Sequence, residues 1–338
     1  MVFKNLYNLF PSLSATNQNR QMNQNSDQNK WLVIVNPNAG NGNGKKDWNR
    51  ISSLLLREDL QSEVKFTERK SQAIVFAREG INAGFRKIIT VGGDGTLNEV
   101  VNGVFLNSVC NPGDVSLALI PVGTGNDWGR MFGIPLDYEK AVKIICNNKV
   151  LTHDIGLISY YDKNEEKKRY FINIAGLGFE SVVVRRTNFQ KDKGRGGKLI
   201  YFYSLLMSLF SYRNTKAQLI IDGKKIFADV FSINVGNGKY CGGGMRQTPN
   251  ALPDDGFLDL TVINGMGKFE IIRNLKILYD GTILSHPKVD GYRCKSLKVS
   301  SESLLYAEAD GESLGHTPVE FSIIPADINI VYGTNIIL

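Results

Sequence analysis

The chain is predicted to fold as an α/β domain followed by a second, mainly antiparallel β domain. Strands and helices alternate from residue 30 to about residue 150, the pattern of a doubly wound parallel layer. Strand-like segments then dominate from residue 151 to about residue 325. At 338 residues the chain is long enough for two such domains, each with its own core.

The first domain is predicted to contain parallel strands separated by helices. The strands are short apolar runs, namely Trp31–Val35, Val64–Phe66, Lys87–Val91 and Ser116–Ile120. Helices between them are indicated by apolar residues that recur every three or four positions, such as Ala73, Ala77 and Ile81. Ligands of such sheets bind beyond the C-terminal ends of the strands, so the loops that follow the strands form the candidate site.

The second domain is predicted from strand-like segments with two helical interruptions. The strands are expected at residues 150–160, 169–175, 216–221, 225–235, 257–263, 294–300 and 318–324. The helices are expected at 197–212 and 267–280, and Asp222-Gly223 signals a hairpin turn. Residues 326–338 are expected to form a C-terminal strand or tail that returns to the first domain.

Residues 1–29 are expected to form a tail outside both domains. Met1–Leu13 is mildly amphipathic, and the Asn/Gln-rich tract after it has almost nothing to bury, which predicts disorder. A membrane-touching tail and a frayed extension are both open for this segment. No apolar run reaches the roughly 18 residues that a membrane-spanning helix needs.

The overall composition favours a cytoplasmic protein with an anionic partner. The formal net charge is +7, which favours an anionic ligand or membrane surface, and no nucleic-acid-binding motif accompanies it. We therefore expect no nucleic-acid partner. The four cysteines are far apart in sequence, as expected of reduced thiols and not of a disulfide framework or a zinc site.

The loop after the third strand is the most informative motif. It consists of two glycines, an aspartate and a third glycine, followed at once by a helix: Gly92, Gly93, Asp94, Gly95, Thr96, Leu97 and Asn98. Glycines let the backbone approach a bulky anion, and the helix N-terminus offers unpaired N–H groups. An aspartate in such a turn would repel phosphate unless a metal ion or a positioned hydroxyl lies between them.

Two further loops support a phosphate site. The segment after the fourth strand repeats the design with Gly123, Thr124, Gly125 and Asp127, and two Asp-bearing glycine loops suit a magnesium-bridged triphosphate. The Asn36–Lys46 loop lacks the spacing of a P-loop, but its glycines and lysines suit a cover over phosphates.

The second domain contains two acidic turns of interest. Asp255 is followed by a glycine, so it suits either a magnesium site or an ordinary hairpin turn. Glu312 follows Asp310 and Gly311. It suits either an ordinary turn or a kinase that acts on an alcohol, which needs a carboxylate near the acceptor hydroxyl.

The segment Arg185–Lys198 is rich in lysine and arginine and leads into an aromatic helix. A basic stretch beside such a helix suits approach to an anionic bilayer. A core helix with a solvated charged loop explains the same pattern equally well.

Together these motifs resemble the diacylglycerol kinase catalytic-domain family, in its bacterial lipid kinase branch, which is also similar to sphingosine kinases. The matching pieces occur in family order over about residues 31–330: Asn36–Gly40, Gly92–Glu99, Pro121–Asp127, Asp154–Gly156, Gly242–Gly244, Asp255–Gly256 and Asp310–Glu312. The resemblance implies a nucleotide-binding domain like that of NAD kinases and phosphofructokinases, a β-sandwich domain for the lipid, and an active site between them.

The resemblance also implies roles for individual residues. ATP would contact Asn36, Thr67, the Gly92–Asn98 loop and Thr124. Asp94 would be central to catalysis, and Glu312 would be the general base on the lipid hydroxyl.

Magnesium ligands are implied in the same way. Asp127 and Asp154 would join Asp94 around a magnesium–water network. A second magnesium would use the Asp255 side chain with the backbone carbonyls of Leu252 and Phe257.

The predicted function is an ATP- and Mg²⁺-dependent lipid kinase that associates peripherally with membranes. Two alternatives are open: a kinase of a soluble acceptor, such as NAD, and a catalytically silent regulator that binds lipid or nucleotide. Diacylglycerol-like and sphingoid-like acceptors are both open. A homodimer through an exposed strand edge is open as well.

Overall fold

The computed structural model describes residues 30–123, 125–193, 198–334 and residue 336. The predicted tail 1–29 and the predicted ATP contact Thr124 lie outside the described residues. No helix within the described ranges is long and apolar enough to cross a membrane.

The first domain is a parallel sheet with helices on both faces. Its strands are β1 (Trp31–Val35), β2 (Ser62–Phe66), β3 (Lys87–Gly92) and β4 (Ser116–Pro121). Its helices are α1 (Ala39–Lys46), α2 (Trp48–Arg57), α3 (Gln72–Asn82), α4 (Asp94–Phe105), α5 (Asp127–Met131) and α6 (Tyr138–Asn147). The strand order is β2-β1-β3-β4, all parallel.

Two apolar clusters lie on the two faces of this sheet. Alternate residues of β1 divide between them, with Leu32 and Ile34 in one cluster and Val33 and Val35 in the other. Because both faces are buried, every β1 residue is apolar, as is usual for parallel strands.

The second domain is mainly antiparallel. Its strands are β5 (Val150–Asp162), β6 (Glu165–Phe171), β7 (Ile174–Gly178), β8 (Thr215–Ile221), β9 (Lys224–Gly236), β10 (Tyr240–Cys241), β11 (Met245–Arg246), β12 (Leu258–Asn264), β13 (Val289–Cys294), β14 (Ser296–Ser301), β15 (Tyr306–Ala309) and β16 (Glu312–Val331). Its helices are α7 (Phe179–Asp192), α8 (Lys198–Ser211), α9 (Lys268–Arg273) and α10 (Leu275–Asp280). A third large apolar cluster fills this domain.

Strand β16 connects the two domains. Its 20 residues pair with β14, β15 and β5 in the second domain. Near its C-terminal end, Asn329 and Ile330 pair in parallel with β4 of the first domain. The two domains therefore share one continuous hydrogen-bonded sheet.

The predicted fold class is confirmed, with several local corrections. Residues 169–175 are not one strand, because the ladder breaks between β6 and β7. The N–H groups of Ile172, Asn173 and Ile174 donate to the carboxylate of Asp310 at 2.9–3.1 Å instead. The predicted helix 267–280 is two short helices that meet at Asn274, and strands β13 and β15 were not predicted.

Candidate functional site

Three loops of the first domain meet at the C-terminal ends of β1, β3 and β4. The side-chain amide of Asn36 donates to Thr96 Oγ1 at 2.9 Å, which ties the first loop to the second. The N–H of Val122 donates to the carbonyl of Gly92 at 2.9 Å, which ties the third loop to the second. The predicted convergence of these loops on one crevice is therefore present.

Glycines allow the loop after β3 and the loop after β4 to touch. A Cβ on Gly123 would lie only 2.6 Å from Gly93 Cα, so no other residue type fits without movement. Gly93 also precedes α4 without a side-chain cap to its N-terminal N–H groups. Uncapped N–H groups at such a terminus suit an anion.

Asp94 and Asp127 face each other across Gly125. A Cβ on Gly125 would lie 3.3 Å from Asp94 Oδ2 and 3.2 Å from Asp127 Oδ2. Asp94 accepts hydrogen bonds from the N–H groups of Asp127 and Trp128 at 3.2 and 3.1 Å. Asp127 Oδ2 accepts one from the N–H of Gly243 at 2.8 Å, so the second domain contributes to this pair.

The electrostatics of this pair favour a positive partner. Burial, and next the like charge of Asp127, raise the pKa of Asp94 to about 6. Burial also raises the pKa of Asp127. Asp127 Oδ1 is buried and has no hydrogen-bond partner within the described residues. Buried carboxylates with a free oxygen are suitable ligands for a hard cation.

Glu312 lies beside the same helix start. A Cβ on Gly95 would be 3.3 Å from Glu312 Oε1, which places the predicted base next to the Asp94 turn. Glu312 Oε2 lies 2.5 Å from Lys70 Nζ. Lys70 was not identified from the sequence, because Lys70 and Glu312 are far apart in the chain and no local motif connects them.

Asn98 of the first domain and Asp310 of the second domain take part in hydrogen bonds that connect the two domains. Asn98 donates to the carboxylate of Asp310 at 2.7 Å and to the carbonyl of Tyr170 at 2.9 Å. Its own Oδ1 accepts from Arg169 Nε at 2.9 Å. The side chain of Asn98, predicted as an ATP contact, is thus engaged with the second domain.

Asp154 and Asp255 lie at the same turn. Asp154 Oδ2 accepts from the N–H of Gly256 at 2.7 Å, and Oδ1 accepts from the N–H of Ala326. Asp255 pairs with Arg293. Both carboxylate oxygens of Asp154 are therefore engaged by backbone N–H groups, and Asp255 faces a guanidinium.

The remaining predicted residues occupy varied positions. Thr67 is buried at the end of β2, where its N–H donates to the carbonyl of Val35 at 2.8 Å. Leu97 lies in the apolar core. Leu252 and Phe257 flank the Asp255 turn, and Arg293 lies over the Phe257 ring at 4.7 Å.

A cavity of about 220 Å³ extends from the two aspartates into the second domain. Its lining includes Asp94 and Asp127 together with mostly apolar residues of α7 to α10, such as Val183, Leu205 and Ile271. An apolar cavity with a few polar groups is the usual form of a small-molecule site. Sequence patterns did not predict it, because its walls come from two pairs of helices, α7–α8 and α9–α10, and the two pairs are far apart in the chain.

Two further acids also line this cavity. Glu180 is the second residue of α7 and Glu308 lies on β15, and neither was identified as a site residue from the sequence. Burial raises the pKa of Glu180 to about 8 and that of Glu308 well above its ordinary value.

Comparison with known proteins extends these findings. The sequence profile described as the diacylglycerol kinase catalytic domain matches residues 30–158. The profile described as the YegS C-terminal NAD kinase beta sandwich-like domain matches residues 173–332.

Individual relatives match over most of their length. A diacylglycerol kinase of Mycobacterium tuberculosis is 30% identical over 306 residues, which cover 89% of this chain and 94% of the relative. A crystal structure of a diacylglycerol kinase from Bacillus anthracis has a TM-score of 0.67, 23% identity, and covers 91% of this chain and 98% of its own. The yeast NADH kinase structure shares the fold, with a TM-score of 0.53, 14% identity and coverage of 90% and 84%.

Proposed function

The chain belongs to the diacylglycerol kinase family, and we propose that it transfers the γ-phosphate of ATP to the hydroxyl group of a diacylglycerol-like or sphingoid-like lipid. It is a lipid kinase, which transfers phosphate to an alcohol group. The observation on which the proposal depends is the cavity, because it joins the Asp94 turn to an apolar compartment that suits acyl chains.

ATP is assigned to the first domain. Its phosphates would lie over the Gly92–Asn98 turn, where the uncapped N-terminus of α4 offers N–H groups. Asn36, Thr67 and Thr124 remain predicted contacts. The hydrogen bond from Asn36 to Thr96 supports the first of these, because it holds Asn36 at the turn.

Mg²⁺ is assigned to the Asp94–Asp127 pair. The donor set fits, because two carboxylates face one gap and Asp127 Oδ1 has no hydrogen-bond partner within the described residues, with Arg130 Nε as an ion-pair partner at 3.9 Å. No group of three His, Cys, Asp or Glu residues in the described ranges could hold a metal ion. Mg²⁺ usually keeps waters and phosphate oxygens as its other ligands, so two carboxylates suffice.

Glu312 is proposed to take the proton from the acceptor hydroxyl. Its pairing with Lys70 fixes the position of the carboxylate beside Gly95. Asp94 is held by two backbone N–H groups and is thereby oriented towards Asp127. When bound, ATP would supply the phosphoryl group, and Mg²⁺ would supply positive charge that offsets the negative charge of that group.

The Asp255 turn remains a proposal for a second magnesium. Its pairing with Arg293 argues for the alternative of a structural ion pair. The carbonyls of Leu252 and Phe257 lie on the same turn and are the other proposed ligands, with Asp154 hydrogen-bonded to Gly256 beside them.

Peripheral membrane binding is proposed for one face of α8 and α9, the aromatic face. Its residues are exposed apolar side chains on neighbouring helices: Phe202, Met207, Phe210, Phe269 and Ile272. Lys268 Nζ contacts the carbonyl of Phe210, which holds the two helices together. The inner sides of the same helices line the cavity through Leu205 and Ile271, so this face adjoins the proposed lipid site.

The first experiment is transfer of labelled γ-phosphate from ATP to a panel of lipids in mixed micelles with Mg²⁺. We expect a labelled lipid from the unaltered protein and a loss of at least about a hundredfold in Glu312→Gln, because general base catalysis contributes about that much. Glu302→Gln is the matched control, since Glu302 is an exposed acid near the end of β14.

The outcomes separate the proposed roles. Labelled NAD with no labelled lipid would show a soluble acceptor, and ATP binding without turnover would show a regulator. Activity near that of the unaltered protein in a folded Glu312→Gln variant would remove Glu312 from the role of base.

A further inference from the structure

The loop between β2 and α3 carries Lys70 and is attached to the helix of the Asp94 turn. The carboxylate of Glu99, a residue of α4, accepts from the N–H groups of Ser71 and Ala73 at 2.8 and 3.2 Å. Ser71 has a φ of 63°, a conformation that residues other than glycine keep only where the surroundings hold it. The contacts to Glu99 therefore fix the backbone on which Lys70 stands.

The side chain of Lys70 ends at the carboxylate of Glu312. Its Nζ lies 2.5 Å from Oε2, whereas Oε1 faces Gly95 at the start of α4. The Lys70 side chain is 65% exposed, and that of Glu312 is 21% exposed. Exposed ion pairs contribute little to stability, because water screens both charges. This pair can therefore open at small cost when another anion arrives.

Negative charge accumulates where the γ-phosphate has to lie. Asp94, Asp127 and Glu312 lie around the start of α4, and a bound ATP adds its own charge. Mg²⁺ is assigned to the two aspartates, so the charges at Glu312 and at the γ-phosphate oxygens beside it call for a separate cation. Arg169 is engaged in a hydrogen bond to a side chain of α4 at 2.9 Å, whereas Lys70 stands beside Glu312.

The chemistry of transfer brings the γ-phosphate within reach of Lys70. A general base lies about 2.6–3.2 Å from the hydroxyl oxygen whose proton it takes. That oxygen lies about 3–3.5 Å from the phosphorus atom that it attacks. The γ-phosphorus therefore lies within roughly 7 Å of the Glu312 carboxylate. A lysine ammonium on its flexible four-carbon stem can pivot over that distance.

We propose that Lys70 moves from Glu312 to the γ-phosphate when ATP binds, which leaves the carboxylate to the acceptor hydroxyl and discriminates ATP from ADP. This inference rests on the proposed function, which assigns the role of base to Glu312. In the transfer step the acceptor oxygen bonds to the γ-phosphorus, the bond to the β,γ-bridging oxygen breaks with its electrons on ADP, and the hydroxyl proton goes to Glu312. Lys70 keeps its own proton throughout.

The test measures the affinity of the full chain for a non-hydrolysable ATP analogue and for ADP by titration calorimetry, with Mg²⁺ and without lipid. In Lys70→Met the affinity for the analogue should fall at least about tenfold, the effect of about one hydrogen bond between charged groups. The affinity for ADP should stay within about twofold, because ADP has no γ-phosphate. Lys70→Arg keeps the cation and should retain most of the preference for the analogue.

A double variant separates the phosphate contact from the pairing with the base. The loss of analogue affinity caused by Lys70→Met should persist when Glu312→Gln is also present, because the phosphate contact does not require the base. In lipid phosphorylation, Lys70→Met should lower kcat and raise the KM for ATP while the KM for the lipid stays unchanged.

Lys298→Met is the matched control. Lys298 is a similarly exposed lysine, at 57%, and it pairs with Glu320 at 3.0 Å on the second domain. This variant should leave both nucleotide affinities unchanged. Thermal unfolding of each variant verifies that it is folded.

Three results would overturn the inference. Equal losses for the analogue and ADP in Lys70→Met would place the lysine on another part of the nucleotide. Unchanged analogue affinity in the folded variant would show that Lys70 stays with Glu312. A loss that disappears in the presence of Glu312→Gln would show that Lys70 acts only through the base. By contrast, no labelled lipid from the unaltered protein would refute the proposed function itself, and the two nucleotide affinities would still judge the phosphate contact.

Discussion

At the scale of single residues, glycines determine how closely the loops of the nucleotide site approach each other. Gly93 and Gly123 are in direct backbone contact, and Gly125 separates the carboxylates of Asp94 and Asp127. Each close approach depends on the absence of a Cβ at a single position. The composition of these loops is thus a consequence of their contacts in space.

Gly123→Ala should weaken ATP binding. The added Cβ would lie 2.6 Å from Gly93 Cα and 2.8 Å from Asn126 Oδ1, so the two loops must separate. Such overpacking costs about 1–3 kcal/mol, and we expect the KM for ATP to rise roughly tenfold. Kinetics with ATP varied at saturating lipid measure this change.

Gly267→Ala is the control for the same chemical change. Gly267 has a φ of −70°, and no atom lies within 4 Å of the position that an alanine methyl would take, so alanine fits without strain. An unchanged KM for ATP in Gly123→Ala would show that the contact between the loops does not shape the nucleotide site.

At the scale of elements, predicted and observed structure agree where the signal is local. The loops that follow β1, β3 and β4 were identified because strand, glycines and helix start are contiguous in sequence. Strand β16 was predicted as two pieces, a strand at residues 318–324 and a C-terminal strand or tail at residues 326–338, because Pro318 and Pro325 resemble strand ends. The positions of Lys70 beside Glu312, and of Glu180 and Glu308 in the cavity, depend on contacts between distant segments, which no local pattern encodes.

The aromatic face of α8 and α9 should bind anionic vesicles. Phe269 is 86% exposed, and burial of a phenylalanine side chain in a membrane contributes about 1.5–3 kcal/mol. We therefore expect Phe269→Ser to weaken binding to phosphatidylglycerol vesicles at least about tenfold. Vesicle sedimentation with the protein in solution measures the partition.

Leu136→Ser is the matched control, because Leu136 is 68% exposed but belongs to the first domain. It should leave vesicle binding unchanged. Equal losses of vesicle binding in the two variants would indicate non-specific hydrophobic adsorption. Unchanged vesicle binding in Phe269→Ser would exclude the aromatic face as the membrane contact.

At the scale of the whole molecule, the two domains meet through buried polar groups. His153 lies between them, where Trp128 Nε1 donates to its Nε2 at 3.4 Å and Asn237 lies 3.3 Å from its Nδ1. Burial lowers the pKa of His153 to about 4. The folded protein therefore holds this imidazole neutral where an unfolded chain would protonate it.

The contribution of His153 to stability should consequently fall as the pH falls from about 6.5 to about 4. In that window the unfolded state binds a proton at this residue and the folded state does not, which favours unfolding by up to about 3 kcal/mol at the acid end. The raised pKa values of Asp94 and Glu180 act in the opposite direction, because the folded state binds protons at these carboxyls more readily than the unfolded state. His153→Gln removes only the histidine contribution, so the free energy of unfolding of the variant relative to the unaltered protein should rise as the pH falls. Urea unfolding at pH 7.5, 6 and 5 measures the difference.

His316→Gln controls for the loss of an imidazole elsewhere, on β16. It should keep the pH dependence of the unaltered protein. Parallel curves for the unaltered protein and His153→Gln would show that His153 titrates alike in the folded and unfolded states.

The path of β16 has a consequence for attempts to divide the chain. A fragment that ends after the first domain would lose the strand that covers β4, and the backbone groups of that edge would be left unpaired. Exposed edges of this kind recruit other chains and aggregate. A soluble version of the first domain would therefore need the C-terminal part of β16 attached after α6, where it can pair with β4. A circular permutation that moves this C-terminal segment next to α6 would supply it.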